Sequence, residues 1–371
     1  MAKILVVASP PGPLTLGRAV VGHCAGHEIF WLSTPKVNLP QVTSLGPPAK
    51  AGRFGRTFLE PVILIEAIRR IQPDLIHVHF AWQGLRTPIL LRYKPLIVST
   101  MGGDILPDQG YNGLRVPFTR ALLNHADYIT SKSAYLDEAL CRIGNYRHKI
   151  RRVTWGIDLN QFHPDRDTTH LRAQWNIPPH DLVFFDARGA SPLYNKHVIM
   201  MAFAGYLRAG GPSATLLVAE INPQLAYVAE LRQQAHDLGI IDRVRFLGVI
   251  DHAVMPDYYA LADVTISIPR TDGLPQTIFE ALACGSFLIL SELPQYVGTV
   301  EEGVTAQLVP PNDSEAVATS LMWIATRPKL REQVAQIGRA YVEQQGDRRT
   351  QTRLVNQLYR EVLTSYSHDV L

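Results

Sequence analysis

The sequence predicts an α/β protein built on two parallel sheets. Three observations carry that prediction. Short, unbroken, β-branched apolar runs recur along the chain, as strands buried on both faces require. Each run is followed by a Gly/Pro-marked loop and then by helical apolar spacing, which is the βαβ alternation. The length, 371 residues, is more than one ordinary core takes and suits two domains.

Composition narrows the class. The apolar fraction of 46% and the charged fraction of 19% are those of a globular protein, not of a disordered one. No apolar run reaches the ~18–20 residues that span a bilayer. The run Lys3–Ala8 reads as a strand and not as a signal peptide, so a cytoplasmic protein is expected. Cys24, Cys141 and Cys284 lie far apart, without metal-ligand spacing, so no zinc site and no disulfide frame is expected. Charge is uneven. Residues 1–150 hold 17 Lys+Arg against 9 Asp+Glu, net +8, which points to an anionic partner for that half.

In chain order, Lys3–Ala8 is the first predicted strand. The Gly/Pro-rich loop 9–17 follows, and a helix begins near Arg18. The loop is not Gly-x-Gly-x-x-Gly, so a dinucleotide fingerprint is missing, but Gly12 can admit a ligand close to the backbone. His27–Leu32 is the second strand, and 33–52 reads as irregular. Phe58–Ile71 is an amphipathic helix ending in Arg69 and Arg70, broken by Pro73. Asp74–Phe80 is a strand on which His77 and His79 share one face; packing is the better reading of that pair. Pro95–Thr100 is a strand that runs into Met101-Gly-Gly-Asp104. Ala126–Ser131 is another, with Ser133 capping the next helix. Residues 164–181 are polar and Pro-marked, and read as a linker.

The second half opens with the strand Leu182–Phe185. Arg188 follows at its carboxyl end and Lys196 stands before a helix; a guanidinium and an ammonium at a sheet's ligand edge suit a diphosphate. Ala214–Ala219 and Val244–Gly248 are strands, separated by a helix over about Pro223–Leu238. Val264–Ile268 is a strand ending at Pro269. Then come Asp272-Gly-Leu-Pro275, a turn, and a helix from Gln276 that Gly285 stops. The turn presents backbone N–H groups at a helix N-terminus, a ready anion site. Asp272 and Glu280 bracket it. Ser314 is expected to cap a helix to Ala325, and Arg348–Tyr366 is a terminal amphipathic helix.

The segment Asp272-Gly-Leu-Pro-x4-Glu280-Ala-x-Ala-Cys-Gly285 resembles the acid-x7-Glu signature of the retaining GT-B glycosyltransferases of family four. The first acid there is normally Glu, one methylene longer than Asp272. Trp155-Gly-Ile-Asp158, Val244-x-Phe-x-Gly248 and Arg188 with Lys196 resemble further segments of that family, although the Arg-to-Lys spacing is three residues longer here. Met101 stands where the family usually has His.

The resemblance implies two Rossmann-like domains facing a cleft. Residues 1–165 would be the acceptor side and 166–347 the nucleotide-sugar side, with 348–371 a helix crossing back. It implies transfer of a hexosyl group from a UDP- or GDP-sugar to a glycan or lipid-linked acceptor, with retention, with no metal and no cofactor. Asp104, Arg188, Lys196 and Asp272 are the expected catalytic residues. Gly12, Gly248, Gly273, Leu274, Pro275, Thr277, Ile278 and Glu280 are expected with them around the donor. Nucleic acid is not an expected partner; an anionic inner membrane face is. Two other readings remain open on the residues: an NDP-sugar 2-epimerase of the same fold, and a non-catalytic sugar-nucleotide-binding subunit.

Overall fold

The computed structural model describes residues 1–8, 18–19, 21, 23, 26–33, 36, 42–46, 53–107 and 111–368, with backbone alone at 53–57 and 367–368. Gly12, Cys24 and the loop 9–17 lie outside the described residues. The chain divides into two units, Met1–Gly156 with Arg348–Leu371, and Ile157–Asp347.

Among its described residues the first unit holds seven strands: β1 (Lys3–Val7), β2 (Glu28–Leu32), β3 (Thr43–Leu45), β4 (Leu75–His79), β5 (Leu96–Ser99), β6 (Tyr128–Ser131) and β7 (Ile150–Arg152). They form one sheet in the order β3-β2-β1-β4-β5-β6-β7, with every pairing parallel. β3 falls inside the segment expected to be irregular. Two cores cover the two faces. One is built on Leu5, Val78 and Val98 with Leu64, Ile68, Leu122 and Leu140 from the helices. The other is built on Ile4, Val6, Trp31 and Ile97, and it is closed by Val355, Leu358, Tyr359 and Val362 of the terminal helix Arg348–His368. That helix is therefore part of the first unit's core.

The second unit holds β8 (Leu182–Asp186), β9 (Ala214–Val218), β10 (Val244–Phe246), β11 (Val264–Ser267), β12 (Phe287–Ser291) and β13 (Ala306–Val309). Their order is β10-β9-β8-β11-β12-β13, again all parallel. β8, β9, β11 and β12 are buried almost throughout, which is why they read as apolar runs without alternation. The chain order reverses between β8 and β11. At such a switch point the following loops leave in opposite directions and open a crevice at the carboxyl ends.

Three boundaries differ from expectation. The division falls at Gly156, not at 165: the Ile157 N–H bonds the Gly346 carbonyl, Arg339 bonds the carbonyls of Leu159 and Phe162, and Phe162 lies in the second unit's core. The supposed linker contains a short helix, Thr169–Gln174. And the cap of the helix Ser314–Ala325 is Asp313, whose carboxylate accepts from the N–H groups of Glu315 and Ala316; Ser314 is already helical. Ser133 does cap its helix, accepting from the Leu136 N–H.

Candidate active site

In the second unit the switch point brings together the loop after β8 and the loop after β11. Three side-chain and backbone ties hold them. Asn195, left-handed at φ 53°, donates from its amide to the Ile268 carbonyl at 3.0 Å. The Arg270 N–H donates to the Leu193 carbonyl at 3.0 Å. The Ser291 hydroxyl, at the end of β12, donates to the Pro269 carbonyl at 2.6 Å.

Arg188 and Asp272 meet on this scaffold. Their ion pair is 2.7 Å long, and the two side chains are 11% and 12% exposed. The guanidinium also approaches the Ser267 hydroxyl at 3.3 Å and lies over the Tyr194 ring, 4.8 Å from its centre. Beside Asp272 the guanidinium is held protonated more firmly than an ordinary arginine, against the opposing pull of burial. The Asp272 carboxylate is fully engaged. One oxygen accepts from the Gly273 N–H at 2.7 Å; the other accepts from Arg188 and from the Tyr296 hydroxyl at 3.2 Å. Gln295 donates to the Asp272 carbonyl at 2.5 Å. These contacts brace the turn.

The turn's strained residue is Leu274 and not Gly273. Leu274 has φ +73°, a conformation that costs a branched residue about 1–2 kcal/mol. Its side chain is buried in the core, and that burial offsets the cost. Pro275 is extended and precedes the helix Gln276–Ala283. The helix ends in a Schellman arrangement: the Ser286 N–H reaches the Ala281 carbonyl and the Gly285 N–H the Leu282 carbonyl, with Gly285 at φ +81°. Ile278 is fully buried, so this expected donor residue can give a ligand its backbone only.

Glu280 belongs to a separate network. It is 5% exposed. His252 approaches its carboxylate at 3.2 Å, and the Tyr259 hydroxyl bonds both Glu280 and Thr277; burial and the Glu280 charge push that phenol's proton affinity up. Gly248 follows β10 at φ +70° and accepts the Glu220 N–H at its carbonyl.

Two expected catalytic residues are buried against partners of their own. Lys196 is wholly enclosed, its ammonium 2.7 Å from a carboxylate oxygen of Asp186, itself 1% exposed. Burial lowers the lysine's proton affinity and raises that of the acid, each against the partner's charge. An ammonium so placed already has a carboxylate beside it inside the domain. Asp104, in the first unit, is 1% exposed. One oxygen accepts the Ala81 N–H at 2.5 Å and the other accepts the N–H groups of Met101 and Gly102 at 3.0 Å. It braces the loops after β4 and β5, and burial raises its proton affinity. Both of its oxygens thus have backbone partners. Gly12 lies outside the described residues.

Sequence reasoning missed Tyr194, Tyr296, Gln295 and His252. Asp186 could have been found as a second charged residue at the end of β8, two positions before Arg188. Among the described residues no group of three His, Cys, Asp or Glu side chains is placed to hold a metal ion.

Known proteins resemble this chain throughout. The profile for "Glycosyl transferases group 1" matches residues 167–341, and that for "Glycosyltransferase Family 4" matches 13–161. A D-inositol 3-phosphate glycosyltransferase of Saccharomonospora viridis is 27% identical over 230 residues, covering 58% of this chain and 51% of that protein. The chain thus spans about half the length of that relative. A GDP-mannose-dependent alpha-(1-6)-phosphatidylinositol monomannoside mannosyltransferase of Mycolicibacterium smegmatis is 24% identical over 280 residues, 71% of each chain. In fold, sucrose-phosphate synthase of Thermosynechococcus elongatus superposes with a TM-score of 0.83 at 20% identity, over 98% of this chain and 100% of that one. Anabaena HepE, solved in complex with UDP and glucose, gives 0.78 at 19% identity over 98% and 100%.

Proposed function

The chain belongs to the family 4 (group 1) glycosyltransferases and has their GT-B fold, and from that premise we propose that it moves a hexosyl group from a nucleotide-diphosphate sugar to a hydroxyl acceptor, with retention of anomeric configuration. One observation carries this reading: Arg188 at the end of β8 and the acid turn 272–274 after β11 share the switch-point crevice of one sheet. The relatives support the donor class: one is GDP-mannose-dependent, and a structural neighbour was solved with UDP.

The chemistry follows from the parts. Breaking the anomeric C–O bond leaves a positively charged sugar and a nucleoside diphosphate leaving group. Arg188 and the N–H groups at the start of the 276–283 helix are fixed donors for the growing phosphate charge. With them in place the reaction proceeds without a metal. The leaving phosphate takes the acceptor's proton on the same face, which preserves the anomeric configuration. Asp272 with the Gly273–Leu274 backbone holds the sugar, and Glu280, oriented by His252 and Tyr259, accepts from the ribose hydroxyls.

The acceptor is a glycan or a lipid-linked hydroxyl presented at an anionic inner membrane face in the cytoplasm. Support comes from the helix Arg53–Ile71. It buries Leu64, Ala67, Ile68 and Ile71, yet leaves Phe58 and Val62 about 60% exposed, with Arg69 and Arg70 at its end. The Glu60–Arg86 pair ties it to the segment carrying exposed Leu85. Apolar and basic surface together suit an interface. Among the described residues no helix is long and apolar enough to cross a membrane.

Release of nucleoside diphosphate from UDP-, GDP- and ADP-sugars, measured with and without lipid and glycan extracts, tests the proposal. Acceptor-dependent release is expected. Acceptor-independent conversion of the donor would mark an epimerase, and binding without turnover a non-catalytic subunit.

A further inference from the structure

The basic side of the crevice is already neutralised from within. Lys196 is enclosed with Asp186. Arg188, the cation in contact with the acid turn, carries Asp272. A diphosphate therefore does not meet a bare positive site. It meets a guanidinium one of whose nitrogens already holds a carboxylate at ion-pair distance.

We propose that the Arg188–Asp272 pair is a latch that the donor's diphosphate displaces, so that the affinity for donor is set by how readily Asp272 lets go. This rests on the donor-site reading above and adds to it a regulating residue. The surroundings of Asp272 are built for release. When Arg188 leaves, one carboxylate oxygen keeps the Gly273 N–H and the other keeps the Tyr296 hydroxyl. The acid is thus never left buried without partners, the situation that makes breaking an enclosed pair costly. Arg188 in turn remains over Tyr194 and beside Ser267 as it changes partner. The freed lone pair of Asp272 becomes the acceptor for a sugar hydroxyl at the same moment that phosphate takes the guanidinium. Binding of the two halves of the donor is thereby coupled through one exchange.

Tyr296 and Asp272 then act in opposite senses. Asp272→Asn keeps the shape and the Gly273 N–H bond, turns the Tyr296 bond round so that the hydroxyl accepts from the amide, and removes the charge that holds Arg188. It is expected to bind UDP, GDP or ADP, whichever the wild type takes, at least fivefold more tightly, with a lower KM for the sugar donor and a lower kcat. Tyr296→Phe removes the bond that receives Asp272 after release. It is expected to weaken the same nucleotide two- to fivefold. The matching nucleoside, which has no phosphate, should bind all three proteins alike.

Isothermal titration of the three nucleotides into the three folded proteins decides. Equal or weaker diphosphate binding by Asp272→Asn overturns the latch while leaving the donor site standing. Failure of every nucleotide to bind the wild type and Asp272→Asn overturns the donor-site reading and the latch with it. If Asp272→Asn does not fold, Tyr296→Phe decides alone, and unchanged affinity there overturns the latch.

Discussion

The Tyr359 hydroxyl of the terminal helix lies 2.7 Å from Nδ1 of His77 in the middle of β4. The other ring nitrogen of His77 is 2.7 Å from the Ser99 hydroxyl, which continues to Thr130 at 2.6 Å. The terminal helix is thus joined to three strands by one buried polar chain. His79 stacks edge-on against His77 with ring centres 4.5 Å apart. Burial pushes the His77 imidazole down to about 3 and His79 well below its ordinary value, and the nearby Arg18 charge adds to both effects.

A pH dependence of stability follows. In the unfolded chain these histidines take a proton near pH 6.5, and in the fold they do not. Between those values the unfolded state binds more protons, so stability is full above pH 6.5 and falls as pH drops toward 3. The slope is at most about 1.4 kcal/mol per pH unit for each histidine. Melting temperatures from pH 8 to pH 5 should fall in the wild type, and the fall should be shallower in His79→Gln. Parallel curves for the two proteins would contradict the assignment.

Gly285 is expected to resist substitution. A Cβ there would stand 2.9 Å from that of Ala335, at a backbone φ of +81°. The left-handed conformation alone costs an alanine about 1 kcal/mol, and the contact adds to it. Gly285→Ala should lower the urea midpoint without changing the m-value. An unchanged midpoint would show that the helix 328–345 yields freely.

Activity should survive chelation. In the mechanism proposed above, the charge on the leaving group would fall to Arg188 and to a helix N-terminus, groups that need no ion. Turnover in EDTA equal to that in Mg²⁺ or Mn²⁺ is the expected result. Loss on chelation with rescue by either ion would contradict it.

Membrane association should require anionic lipid. Each basic residue near such a surface is worth about 1 kcal/mol, and salt screens it over ~8 Å at physiological strength. Co-sedimentation with anionic vesicles should weaken as salt rises, and Phe58→Ser with Val62→Ser should weaken it further. Equal binding to neutral vesicles, or none to either, would assign the enzyme a soluble acceptor.

Much of the fold was legible because parallel strands buried on both faces leave an unbroken apolar trace. Val264–Ile268 is an example, and β11 occupies it but for the last residue. β3 left no such trace: it is short and only half-buried at the sheet's edge. The site was legible as a list of residues but not as pairs. Arg188 and Asp272 were both named, yet their contact exists only because β8 and β11, distant in sequence, lie side by side. Lys196 reads as a phosphate ligand until Asp186 is seen to enclose it. Asp104 reads as an acid at a strand end until its oxygens are seen to take three backbone N–H groups. Spacing along the chain carries no information on which partner a charge finds across a sheet.

Arg188 and the 272–274 turn are proposed above to bind the diphosphate of a sugar donor. The most direct measurement is the melting temperature of the wild type and of Arg188→Ala against saturating UDP-, GDP- and ADP-sugars. Removing Arg188 takes away a charge-assisted contact of roughly 1.5–3 kcal/mol. The account predicts that at least one donor raises the wild-type melting temperature by several degrees and that Arg188→Ala loses most of that rise. A rise of equal size in Arg188→Ala, or no rise with any donor, would contradict it.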